Sequence, residues 1–166
     1  MGTHRWLIHD LYRNMFMIEC IFNIREPELV PEFLKDRGSF FYYCFYGDVD
    51  FVFHEKDSTI KTWKYEWIAV FAFFWELKWI LKAFKSGSRV EKIDFLEWDE
   101  QIVFERNGSL IKITDKEWGG WESIISFEEF LEDIERETTN FFAYLEKIYW
   151  EVLTIPAYQE MMKEVQ

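Results

Sequence analysis

Two short stretches of this chain carry residue types that do chemistry in other proteins. Asp48-Val49-Asp50 has the Asp-x-Asp spacing with which some transferases hold a divalent metal. Two acids following Gly47 are also ordinary at a turn, because Asp bonds nearby backbone and tolerates tight conformations. The turn reading prevails. Glu76-Leu77-Lys78 has the carboxylate–lysine order of some nuclease centres, but it falls within a predicted helix and lacks the partnering Asp. The three histidines, His4, His9 and His54, are scattered, and His4 and His9 fall on different faces of a helix. Cys20 and Cys44 have no paired ligand nearby in the sequence, so they read as small buried hydrophobes in predicted strands rather than as zinc ligands. The sequence has no Gly-rich phosphate loop, Gly-x-Ser-x-Gly elbow or His-Glu-x-x-His helix. No spacing among the 31 acids singles out a catalytic pair. The expectation is a binding protein rather than an enzyme, with neither cofactor nor metal.

The acids themselves are the stronger signal. The net charge is −12, and residues 1–90 are balanced at 12 acidic and 12 basic side chains. Residues 91–153 hold 17 acids against 6 bases. Glu128, Glu129, Glu132, Asp133, Glu135 and Glu137 crowd one predicted helix, relieved only by Arg136. Acids in a first turn complement the helix dipole. Further along, the i,i+4 pairs Glu128–Glu132 and Glu129–Asp133 repel, which leaves room for a selective reason such as a basic partner. Just before the helix, Glu117-Trp118-Gly119-Gly120-Trp121-Glu122 sets two indoles around a flexible pair, with acids as a rim. That composition suits an interface anchor, although a loop folding its rings onto the core has the same sequence. The candidate partner-binding residues are Glu117, Trp118, Trp121, Glu122, Glu128, Glu129, Glu132, Asp133 and Glu135. The same charge argues against nucleic acid, which needs concentrated Lys and Arg.

These residues must be positioned by a folded domain. At 166 residues and 21% aromatic, with few Gly and Pro, the chain can bury a core without disulfides. Phe16 to Arg25 alternates as a strand with one buried face. Pro31 to Arg37 suits a short helix, and Ser39–Tyr46 and Val49–Glu55 suit a hairpin around Gly47-Asp48. A strand at Thr59–Lys64 precedes a helix from about Glu66 to Lys85, ended by Gly87. Lys92–Trp98 reads as a strand, and Asn107-Gly108 marks the clearest hairpin, joining Ile102–Arg106 to Ser109–Ile113. Trp121–Ile125 follows as a strand. Ser126-Phe127-Glu128-Glu129 then matches a capping box. From Phe127 to Val152 apolar residues recur at spacings of three and four, the stripe of a long helix stopped by Pro156. The class is α+β: a hairpin-rich antiparallel sheet of six or seven strands against two long helices, in one domain spanning 1–166. The ends, 1–5 and 156–166, are expected to be its loosely held parts. The uncharged stretch Trp67–Trp75 is far short of the roughly 20 residues that cross a bilayer. With no apolar leader after Met1 and no paired cysteines, the expected location is cytoplasmic.

The segment Ile93–Leu145, with its strand, Asn-Gly hairpin, Trp-containing loop and Ser-Phe-Glu-Glu helix start, resembles small acidic bacterial proteins, some of them similar to immunity proteins of polymorphic toxin systems. The resemblance implies a stoichiometric inhibitor of a secreted toxin domain, often a basic nuclease, and brings no catalytic residues with it. Two other classes stay open: a small-ligand or enzymatic domain with an aromatic pocket between sheet and helix, and a homo-oligomer joined through its surplus aromatics.

Overall fold

A computed structural model of the chain describes residues 16–95, 101–116 and 121–166. His4, His9, the 1–5 end, the Thr3–Asn14 stretch, the end of the Lys92–Trp98 strand, and Glu117 and Trp118 lie outside them.

The expected alternation holds in strand β1 (Met17–Glu26), where Ile18 and Cys20 are buried and Ile21 is exposed. β1 pairs antiparallel with β2 (Tyr46–His54), and β2 with β3 (Ile60–Ala69), so β1 and β3 are the edges of a three-stranded sheet. A second sheet has four antiparallel strands in sequence order: β4 (Val90–Asp94), β5 (Gln101–Asn107), β6 (Leu110–Asp115) and β7 (Trp121–Ser126). The α+β class stands, with seven strands divided between two sheets rather than gathered in one.

Four α-helices complete the described fold: α1 (Arg37–Tyr43), α2 (Val70–Lys85), α3 (Phe127–Ile148) and α4 (Pro156–Glu164). α2 and α3 pack on each other, Phe74 stacking on Phe141 with ring centroids 4.0 Å apart, and each helix touches strands of both sheets. A single core therefore joins the two sheets. Tyr65 of β3 donates to the buried Asp115 of β6 at 2.7 Å, a second tie between them.

The expected hairpin around Gly47-Asp48 does not form. Ser39–Tyr43 belongs to helix α1, because Asp36 caps it: its two carboxylate oxygens accept from the Ser39 amide and hydroxyl, each at 2.9 Å. Cys44 accordingly ends a helix instead of lying in a strand. Gly47 sits within β2, pressed so close to β1 that a Cβ there would lie 1.9 Å from the Asn23 carbonyl oxygen. Asp48 pins a bulge, receiving Arg25 Nε at 2.6 Å and the Trp67 amide at 3.2 Å, while Arg25 lies over the Trp67 ring. The chain bends sharply at Trp67, whose φ is 54°. Strand β3 therefore continues to Ala69, and α2 starts at Val70 rather than at Glu66.

At the other end of the chain the Asn107-Gly108 hairpin forms as expected, with Gly108 at φ 63°. Ser126 caps α3 by accepting from the Glu129 amide. The reciprocal half of the capping box does not form, since Glu129 Oε1 lies 3.9 Å from Lys56 and Oε2 is buried without a hydrogen-bond partner. The stripe expected to run on to Val152 is interrupted. α3 ends at Ile148, which is exposed, and a 3-10 turn at Trp150–Thr154 carries the buried Val152. The tail, expected to be loose, is the docked helix α4. It buries Ala157, Tyr158 and Met161 against α1 and α2, pairs Glu164 with Arg37, and accepts from Trp75 Nε1 at the Met161 carbonyl.

Candidate functional site

The acids expected to crowd one helix lie on α3, but they are buried to different degrees. Glu128, Glu132 and Glu135 are exposed, Glu129 and Glu137 are half-buried, and Asp133 is 7% exposed. The inward acids have a structural task. Among the described residues no strand lies beyond β1, so the outward amides and carbonyls of Ile18 and Cys20 need partners. Asp133 Oδ2 accepts from the Ile18 amide at 2.8 Å, and Glu137 Oε2 from the Cys20 amide at 2.9 Å. Arg136 donates to the Ile18 carbonyl at 2.7 Å, to Asp133 at 2.6 Å and to Glu137 at 3.0 Å. Three side chains at i, i+3 and i+4 on one helix face thus replace the neighbouring strand. Burial pulls the Arg136 guanidinium down, and its bonds to the two carboxylates outweigh this and hold it above its ordinary value. Asp133 therefore does not belong with the exposed partner-binding candidates. Burial, reinforced by Glu137, pushes the Cys20 thiol well up, so it stays protonated and inert.

The remaining candidates divide in the same manner. Glu128 and Glu132, four residues apart on the outer face, have no ion-pair partner among the described residues, whereas Glu135 pairs with Lys85 at 2.8 Å. Trp121 and Glu122 are exposed at the start of β7. The six-residue strand carries Trp121 about 17 Å from Ser126 at roughly 3.4 Å per residue. The indole and the helix acids are therefore separate features. Lys61 reaches the Glu122 carbonyl at 2.9 Å, and Glu55 receives the Ser123 hydroxyl at 2.8 Å, so the far end of the first sheet clasps β7.

Of the Asp-x-Asp acids, Asp48 is absorbed by the β2 bulge and Asp50 lies in regular β2 opposite Lys64, and no cluster of three metal-ligating side chains occurs among the described residues. His54 faces Glu19 at 3.1 Å. No helix among the described residues is long and apolar enough to cross a membrane.

A cleft between α1, α2 and β4 is made of residues that the sequence reading did not assign to a pocket. Ala69 at the end of β3 and Ala72, Phe73 and Glu76 of α2 form one stripe, at spacings of three and four. Phe41 and Tyr42 of α1 face them from one side, and Asp94 with Phe95 from the other. The two alanines leave open about 20 Å³, room for one water-sized group. Phe95 is held in place by stacking on Tyr65 at 4.7 Å. Burial pushes the Glu76 carboxyl up to about 8, and the neighbouring Asp94 adds to the shift. Asp94 moves the opposite way, held down chiefly by Lys92 and also by Gln101. Glu76 was legible as the lone acid embedded in an apolar run, Trp67–Trp75 before it and Leu77 after it. The comparison with nuclease centres paired Glu76 with Lys78, whose amine lies over the Phe142 ring.

The chain combines an acidic helix face, a side-chain cap on a sheet edge and an aromatic cleft around one carboxyl, and it matches no known protein family, characterised protein or solved structure.

Proposed function

We propose that this protein is a protein-binding domain for a basic partner, in the manner of an immunity-type inhibitor that neutralises a toxin by stoichiometric association. The observation that carries the reading is the pair Glu128 and Glu132. Both are exposed, they repel at i,i+4, and no cation among the described residues offsets them. A surface that is mildly unfavourable for the free protein becomes favourable against a complementary positive one, where it accelerates encounter and fixes register. Trp121, half-exposed on β7, offers a separate aromatic contact.

The test compares wild type with the double variant Glu128→Lys/Glu132→Lys in a pull-down from native lysate at low and high salt. A basic protein retained by wild type at low salt, released at high salt and lost from the double variant is the expected outcome. Equal retention by a folded double variant removes this surface from the interface.

A further inference from the structure

The cleft around Glu76 lies apart from the α3 surface, and its chemistry is specific enough to name a ligand. We propose that it is a binding site for a primary alkylammonium group, received by Glu76 between the aromatic walls of Phe41, Phe73 and Phe95. Four observations converge. The opening, about 20 Å³, suits a group the size of water, which is the size of an –NH₃⁺ head. Glu76 is largely buried and has no hydrogen bond or ion pair with any described residue, so none of them gives its carboxyl a donor. Asp94 stands beside it and makes the local potential more negative. The remaining lining is aromatic and aliphatic, and aromatic rings suit a cation better than an anion.

Other occupants fit less well. A divalent metal needs six or so oxygen ligands at fixed distance, and the described residues offer two carboxylates here. An anion would meet like charge. A guanidinium or a trimethylammonium is wider than one water-sized space, so the site selects for the small head. The alkyl chain of such a ligand would leave along the apolar side of the opening, past Tyr42, which is 37% exposed.

The ammonium has two sources, a free small amine or a lysine side chain of a protein, and one experiment separates them. Protein labelled with ¹³C at alanine methyls is titrated with n-butylammonium, with tetramethylammonium and with a short lysine-centred peptide, each to about 50 mM, well above a Kd on the order of 1 mM. Saturable shifts of the Ala69 and Ala72 methyl signals are expected with butylammonium and not with tetramethylammonium. Glu76→Gln, which keeps the shape but cannot ionise against the ammonium, is expected to weaken binding by at least about tenfold. Ala72→Leu, which fills the opening and keeps Glu76, is expected to abolish it. A peptide that binds about tenfold or more tighter than butylammonium identifies the source as a partner's lysine, and equal affinity identifies a free amine. No saturable shift with either primary amine, equal shifts with tetramethylammonium, or unchanged binding in a folded Glu76→Gln protein would each overturn the proposal. Glu128→Lys/Glu132→Lys is expected to leave these shifts unchanged, so failure here and failure of the α3 interface are read separately.

Discussion

Asp133 and Glu76 are both carboxylates drawn into the interior on long helices, and they are treated in opposite ways. Asp133 is given donors on both oxygens, an amide from β1 and a guanidinium from its own helix. Glu76 is given none among the described residues and has a second acid nearby. The first arrangement is what a fold requires of a buried charge. The second leaves a carboxyl with no such donor, and burial favours its neutral form until a partner charge arrives. The difference separates acids that build this molecule from acids available for its work.

The largest expected effect separates the two by pH. Glu76 holds its proton in the fold up to about 8 against an ordinary 4.5, so the native state binds more protons than the unfolded chain between these values. Stability is therefore lost as pH rises through that window, and the loss is complete above about 8. Replacing Glu76 by Gln is expected to remove this slope, so that the variant exceeds wild type by on the order of 4 kcal/mol near pH 9 and matches it near pH 4. Urea unfolding of both proteins across that range is the check; parallel curves would show that Glu76 is not withheld from water.

Next in size is Asp133→Ala, which strands the Ile18 amide and takes one of its three acceptors from Arg136. A loss of about 3 kcal/mol in denaturant unfolding is expected, in contrast with the gain at Glu76. Glu137→Ala removes one acceptor, that of the Cys20 amide, and is expected to cost about 1–2 kcal/mol, with faster hydrogen exchange at Cys20. Glu132→Gln belongs to the outer face and relieves repulsion from Glu128, so a gain of about 0.3 kcal/mol is expected. A loss as large as that of Asp133→Ala would show that the outer acids also hold the fold.

Much of the architecture was legible where one local signal dominated. Alternation located β1, Asn107-Gly108 located a hairpin, and Ser126 located the start of α3. Legibility failed where local signals competed. Ser39–Tyr46 has strand propensity, but the Asp36 cap and the burial of Phe40 and Phe41 on one face make most of it a helix. Gly47-Asp48 resembles a turn; its glycine instead allows two backbones to approach. The division into two sheets depends on α2 and α3 packing across the whole chain, which no window of sequence contains. The same limit applies to the acids. Asp133 and Glu132 are indistinguishable in a charge count, and only the path of β1 turns one inward. Glu76 becomes a site through Phe41 and Asp94, which reach it from segments far away in sequence.

The side-chain cap on β1 also constrains the order in which the molecule can be finished. Ile18 and Asp133 are separated by 115 positions. During synthesis, β1, β2 and β3 can pair as soon as they emerge, while the residues that close their open side are still untranslated. From the end of β3 to these residues, at roughly 5–20 residues per second, the nascent sheet waits about 3–14 s for α3. Through that interval its bare edge is open to a neighbouring nascent chain, and the arrival of Asp133, Arg136 and Glu137 closes it.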